Sequence, residues 1–476
     1  MEVPIERKES NAMAPSSAAQ LSQKDAQFRQ FALEGNLWKV LWKVCIPLAT
    51  YHCITLVFAL LDSLMAAHIG PEAISTVACF AQILFMLSSI GIGLSVGGGI
   101  QIAAAYGAGD YERVKQTINT LFALCAVFAL LLGLLFPFAR PFLRLIGTPE
   151  GLIEGGLLFF RISLIGRILE TFNNVYIAVE RSRGKTARIM ALNFSVILLK
   201  LSLTAVFVYG MHGTITHIAI ATAVSQAFLF TAGFFCLRRR NDVFGLSLSH
   251  IRMDAQTLRP LFGLSIPVIL EKAFFYYGKV VVNTMSASYG DLTIGALGIS
   301  NNLGGITTSP QEGFQDGSTS IISQNIGGGR LDRAMGAFKR LLVIEVTIGL
   351  IGCVLTLALL PMILRIFAGE DLVFAGLIGY IYRWEAFALA PTGIFSAVMA
   401  LLYGFGYTRL AFLVNFSRLF IFRIPVLWLL QNFTGLGWKS VGIVMFASNT
   451  GIGLFSLLIL ALVLWRMRTQ PPGLLS

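Results

Sequence analysis

The chain has 476 residues, 56% hydrophobic and 13% charged, with a formal net charge of +12. A soluble domain is about one quarter charged, so a water-soluble globule is excluded and the composition reads as a multi-span helical membrane protein. The positive charge, which in a soluble chain would point to nucleic acid, here collects in alternate loops and reports topology instead.

The first ~35 residues are polar and lack the short apolar core and small-residue cleavage site of a signal peptide. They are expected to form a disordered cytoplasmic tail over 1–36. Trp38, Lys39, Trp42 and Lys43 then anchor the entry to the first span at the bilayer surface. Runs long enough to cross a bilayer, roughly 20 apolar residues each, predict twelve helices. They lie near 40–65, 73–104, 117–139, 153–179, 188–209, 214–236, 261–288, 293–325, 338–364, 373–402, 409–431 and 440–465. Lys and Arg gather in the tail, at Arg113/Lys115, Arg181–Arg188, Arg238–Arg240, Arg330–Arg340, Arg409 and Arg466/Arg468. The intervening loops hold only Arg140, Arg144, Arg365 and Lys439. This alternation puts both termini in the cytoplasm of a cell whose inner membrane the chain spans.

The longest polar break, 238–260, separates an amino-terminal lobe (37–237) from a carboxy-terminal lobe (261–466), with a short tail at 467–476. The lobes repeat each other. Gly93, Gly97, Gly107 and Gly109 recur as Gly313, Gly317, Gly327 and Gly329 at an offset of 220. Pro47 matches Pro267, Gly70 matches Gly290, and Asp62 falls opposite Asn283. Later, Gly184 and Asn193-Phe194-Ser195 match Gly406 and Asn415-Phe416-Ser417 at an offset of 222. Each half has six spans and starts on the same side, so the fold class is all-α: two pseudo-symmetric six-helix bundles in parallel repeat. The glycine clusters follow no strand and precede no Walker lysine, so they read as helix ends rather than a nucleotide loop. The six cysteines and five histidines show no metal spacing. No cofactor and no metal is expected.

Over residues 35–466 the chain resembles the multidrug and toxic compound extrusion (MATE) family. The resemblance rests on the proline-containing first helix ending in Asp62, Met65 and Gly70, on GLSVGGGIQ…YGAG…ER in the second helix, and on the recurrence of both after Pro267. It implies two bundles facing each other in a V, alternating inward- and outward-facing states, and export coupled to proton or sodium entry.

An intramembrane charge costs about 2.5–3.5 kcal/mol even on the lenient insertion scale, so each one needs a reason. Asp62 has no partner within helical reach and is the first candidate. By the resemblance it is the family's first-helix cation-binding aspartate, with Asn193 and Thr222 completing the site. The family's fifth-helix aspartate is here Ile197, with Lys200 nearby; a Lys200–Asp62 salt bridge is the alternative. Glu271 in the seventh helix is a further cation candidate. Its neighbour Lys272 is expected to point about 100° away, and Lys272 and Lys279 share a face. Glu312 and Asp316, four residues apart, share a face of the eighth helix and suit a proton relay or a cationic substrate; their alternative role is to neutralise Lys272 and Lys279. Pro310 predicts a kinked or broken helix there. Glu385 and Asn283 are further substrate or relay candidates, and Arg383, matched by Arg161, reads as a structural charge.

The reading is a monomeric secondary exporter of small cationic or amphipathic molecules, working in contact with membrane lipid and without nucleic acid. Cation binding at Asp62 or the second-lobe acids is expected to favour release outside. The rivals are a lipid-linked oligosaccharide flippase, which typically has more helices and a strongly cationic cavity, a multi-span membrane enzyme, for which no nucleophile–base or metal constellation is present, and a channel.

Overall fold

The structure is a computed structural model. It describes residues 21–469 except 70, 147, 149, 239–241 and 370, and leaves out the side chains of 60, 62–64, 66–68, 71–75, 78, 291 and 469. A short helix α1 (Gln23–Glu34) precedes the first lobe, which contains α2 (Leu37–Ile69), α3 (Pro71–Ala108), α4 (Tyr111–Leu135), the short α5 (Ala139–Leu145), α6 (Glu150–Ser182), α7 (Thr186–Ala205) and α8 (Ile215–Leu237). The second lobe contains α9 (Ala255–Ala287), α10 (Asp291–Gly327), α11 (Leu331–Ala368), α12 (Leu372–Phe387), α13 (Leu389–Gly404), α14 (Thr408–Phe420), α15 (Ile424–Phe433) and α16 (Lys439–Thr469). Among the described residues the chain makes twelve rods, two of them broken. The tenth bends by 49° between α12 and α13, and the eleventh breaks between α14 and α15. Among the described residues eight helical stretches have the length and apolar character needed to cross a membrane, nine with the bent pair. Helices α6, α9 and α10 fall short in apolar character, although their 33, 33 and 37 residues exceed the roughly 20 that a bilayer needs. Helices α6 and α10 carry Arg181 and Asp316, which pair across the lobes.

Two expectations are corrected. Residues 23–34 are helical, not disordered: Ser22 caps the helix by accepting from the Asp25 amide, and Asp25, Phe28, Ala32 and Leu33 are buried. The tail packs because this stretch brings apolar residues to one face, i to i+4. The eighth helix is not broken at Pro310 but runs through it from Asp291 to Gly327; a proline removes one backbone bond, and packing of α10 against α2, α3, α11 and α13 holds the rod together. The inter-lobe segment is pinned against the first lobe. The Ser247 amide donates to Asn119 Oδ1 at 2.6 Å, and Phe244 is fully buried with its ring edge-on to Tyr106 at 5.2 Å.

The strongest cross-lobe packing pairs α3 with α9 and α2 with α10, while α2 and α3 touch each other little. The repeated glycines make this possible. A Cβ on Gly107 would overlap the Gln324 carbonyl, and one on Gly327 the Ala104 carbonyl. Their neighbours Gly109 and Gly329 end α3 and α10 with φ of 81° and 71°, a region that favours glycine. The seam lies toward the end of the molecule that carries α1. There, one core runs through both lobes, from Leu41, Ile102 and Val179 to Ile321, Leu341 and Val398. At the opposite end the described core divides in two, one part around Phe80 and Phe160 and the other around Ile378, Tyr382 and Val444. The lobes are joined at the α1 end and separate beyond it.

Helix α1 crosses the joined end. Arg29 donates to the carbonyls of Tyr106 and Gly107, each at 2.8 Å, and Lys185 pairs with Asp25 at 3.0 Å. On the other lobe, Arg333 donates to the Gly35 carbonyl at 2.8 Å, and Arg330 pairs with Glu34 at 3.1 Å.

Candidate functional site

The space between the lobes is bordered by α2, α3 and α6 on one side and α9 and α10 on the other. Glu312 and Asp316 do share one face of α10. The face is turned toward the first lobe because α10 packs along α2 and α3. Asp316 accepts from Arg181 Nη1 of α6 at 2.5 Å and lies 3.8 Å from His52 Nε2 of α2. Glu312 lies 3.6 Å from His52 Nδ1, and its side chain stays 64% exposed, against 35% for Asp316. The expected partners, Lys272 and Lys279, form no ion pair with either acid among the described residues. Nearby, Phe85 of α3 stacks on Tyr276 of α9 at 5.1 Å across the lobes. Arg167 lies over Phe85 and pairs with Glu170 at 2.6 Å. The wall is therefore aromatic with charges of both signs.

Glu271 is buried inside the second lobe. One carboxylate oxygen accepts from Asn415 Nδ2 at 2.9 Å and lies 3.0 Å from Lys272 Nζ; the other accepts from the Tyr403 hydroxyl at 2.5 Å. The expectation that Lys272 points away is corrected. Its Cα does lie about 100° round the helix, but a flexible four-carbon arm ending in a compact charge lets the ammonium fold back. Glu385 is also buried and accepts from Ser300 Oγ at 2.6 Å, remote from the Glu271 cluster. Asn283 is half-buried on α9.

In the first lobe the proposed cation site lies partly outside the described residues. The Asp62 side chain lies outside the described residues, and so does its proposed pairing with Lys200, which is half-buried on α7. Asn193 donates to the Ile189 carbonyl at 2.9 Å and Thr222 to the Ile218 carbonyl at 3.0 Å, each within its own helix. Arg383 is exposed and borders a surface cavity of about 530 Å³ with Tyr380 and Trp438, away from the acids.

Four participants escape sequence reading. His52 carries no metal spacing, Arg181 falls within a basic loop run, and Tyr403 is one aromatic among many. The repeat register held a signal: Arg181 and Tyr403 occupy matching positions 222 apart. The fourth, Glu345 of α11, is fully buried and accepts from Ser396 Oγ at 3.0 Å, with no ion pair among the described residues.

The MatE family model matches residues 47–206 and 267–429. The chain is 23% identical over 412 residues to a probable multidrug resistance protein, YoeA, of Bacillus subtilis, covering 84% of this chain and 88% of that one. It is 22% identical over 422 residues to the multidrug export protein MepA of Staphylococcus haemolyticus, covering 87% and 91%. Among solved structures, an outward-facing multidrug resistance MATE transporter superposes with a TM-score of 0.87 at 18% identity, over 95% of this chain and all of that one. A transporter from Pyrococcus furiosus described as having a binding pocket of reversed polarity superposes equally well, at 0.87 and 18% identity, over 94% and 99%.

Proposed function

The chain belongs to the MatE family, a family of transporters rather than enzymes, and on that premise we propose that it exports drug-like, amphipathic or cationic molecules by antiport with protons. The names of its relatives as multidrug export proteins support the substrate class. The observation that carries the coupling is Asp316, a second-lobe acid held between Arg181 and His52 of the first lobe. With the basic loops read as cytoplasmic, the joined α1 end faces the cytoplasm and this arrangement corresponds to the outward-facing state. A proton on Asp316 removes its charge. That weakens the tie to Arg181 and also the attraction for a cationic substrate at Glu312 and Asp316. Substrate release outside and opening of the cytoplasmic seam then follow from one protonation. A ligand moves such an equilibrium only by its different affinity for the two states, and the cross-lobe bond supplies that difference. The contacts of α1 with both lobes must also give way when the seam opens.

Protons are favoured over sodium for two reasons. Lys272 Nζ already occupies the place beside Glu271 where a sodium ion would sit, and the fifth helix offers Ile197 in place of a carboxylate. Asp62, Asn193 and Thr222 form a second proposed cation site, with Glu385 and Asn283 at the edge of the second-lobe relay.

The test is efflux of a fluorescent organic cation from proteoliposomes under separately imposed pH and sodium gradients. The wild type should follow the pH gradient, and Asp316→Asn should lose that dependence while Asp62→Asn retains it. Efflux indifferent to both gradients sinks the antiport reading. Coupling lost in Asp62→Asn and kept in Asp316→Asn moves the site to the first lobe.

A further inference from the structure

The second lobe contains a group of cations that the coupling scheme does not use. Lys279 of α9 and Arg418 of α14 lie on the ring of Phe275, at 5.7 and 5.8 Å from its centre. Arg418 also lies 5.5 Å from the ring of Phe395. Its Nε and Nη2 donate to Asn449 Oδ1 at 3.3 and 3.0 Å. Arg423, at the break between α14 and α15 and only 5% exposed, donates to the same oxygen at 2.9 Å and to Ser448 Oγ at 2.9 Å. One amide oxygen thus serves two guanidinium groups.

No carboxylate lies within ion-pair distance of any of the three among the described residues. The nearby acids make their direct contacts elsewhere: Glu271 with Lys272, Asn415 and Tyr403, Glu385 with Ser300, and Glu312 beside His52; Glu385 and Glu312 attract Lys279 and Arg418 only through space, beyond ion-pair distance. Arg423 is held by its two acceptors and is structural. Lys279 Nζ and Arg418 Nη1 are different, because neither has a hydrogen-bond acceptor among the described residues, and both side chains are only partly buried. Cations inside a spanning bundle are costly unless something of opposite charge meets them. The repeat offers no structural precedent for them: the positions matching Lys279, Arg418, Arg423 and Asn449 in the first lobe are Ala59, Val196, Leu201 and Ala227.

We propose that Lys279 and Arg418, backed by Arg423 and Asn449 and flanked by Phe275 and Phe395, form a binding site for the anionic head group of an amphipathic molecule. A carboxylate, sulfonate or phosphate supplies the missing acceptors, and the phenyl rings take the apolar body. A guanidinium edge with a neighbouring ammonium suits such oxyanions. This deepens the export reading and rests on it for the claim that the ligand is transported. The acids on α10 and the bases on α9 and α14 then equip one molecule to hold a zwitterion at both ends. The anion comes from a transported substrate or from a bilayer lipid.

The full-length protein in phosphatidylcholine nanodiscs is titrated calorimetrically with 2-naphthoate, 2-naphthylmethanol and 2-naphthylmethylammonium, with no transport required. The expected result is that naphthoate binds and the alcohol binds far more weakly. Losing a charge-assisted contact in Lys279→Gln or Arg418→Gln should weaken naphthoate about tenfold, with partial recovery in Arg418→Lys. Lys279→Gln is the safeguard if the arginine variant fails to fold. Naphthoate bound no better than the alcohol, or equally well by Lys279→Gln and wild type, overturns the proposal. A repeat in nanodiscs containing phosphatidylglycerol assigns the source: competition with naphthoate supports a lipid occupant of the same site, and unchanged affinity a free substrate. If naphthoate binds as expected but efflux ignores both ion gradients, the site stands and the antiport reading fails.

Discussion

The two lobes place different chemistry on matching positions. Tyr51 and His52 of the first correspond to Glu271 and Lys272 of the second, and Arg181 corresponds to Tyr403. In the second lobe these residues close on themselves, with Glu271 holding Lys272, Tyr403 and Asn415. In the first lobe the acid is missing, so His52 and Arg181 turn outward and meet Asp316 of the other lobe. The asymmetry teaches that one repeat keeps its charges satisfied internally, and the other leaves its cations to be satisfied across the seam. A bond of that second kind exists only while the seam is closed.

The comparison can be broken first at Glu271. Glu271→Gln strands Lys272, and removing one partner of a buried pair costs about 3–5 kcal/mol; Tyr51→Phe at the matching position should change little. Thermal melting of the purified protein reads both, and equal losses would erase the distinction between the lobes. Next come the features the lobes share. Gly107→Ala and Gly327→Ala each drive a methyl into the other lobe's backbone, an overpacking of about 1–3 kcal/mol or more. Both should lower a cross-link between Cys45 and Ser318→Cys, whose side chains now lie 3.6 Å apart, in a background lacking the other cysteines. An undiminished cross-link in either variant argues against a symmetric seam.

A smaller effect isolates the cross-lobe bond. A double-mutant cycle of Arg181→Gln with Asp316→Asn should show a coupling of about 0.5–3 kcal/mol, whereas Tyr403→Phe with Asp316→Asn should be additive. The smallest effect lies at the end remote from α1. Arg144 and Arg140 hold Glu150 at a pKa of about 2 instead of its ordinary 4.5, by hydrogen bonds to its carboxylate. A depressed carboxylate stabilises the fold above its unfolded value, and the contribution falls away as the pH drops from 4.5 toward about 2. The group is exposed, so solvent screens it. Glu150→Gln should leave the melting temperature at pH 7 nearly unchanged; a large drop would mean that this loop bears on the first lobe's stability.

Much of the architecture was legible because hydrophobic length and loop charge act locally. The apolar runs correspond to the twelve rods, and the glycine register located the seam helices. The expectations that failed depended on what a segment packs against. Residues 23–34 look like a polar tail until both lobes present carbonyls and charges to them. Pro310 looks like a break until four neighbouring helices hold the rod. Within the site, the i, i+4 spacing placed Glu312 and Asp316 together but could not say which way they face, because that is set by the rotation of α10 against α2 and α3.

The sequence by itself determined that this is a two-lobed, all-helical membrane transporter with most of its candidate intramembrane acids in the second lobe. Apolar span length, helical spacing and the repeat offset are properties of the chain alone. The tertiary structure decided which charges pair: Lys272 with its own neighbour, Arg181 with Asp316 across the seam, and Lys279 and Arg418 with no acid within ion-pair distance among the described residues. Pairing depends on distances of 3–4 Å between side chains far apart in the chain, and only helix packing sets those.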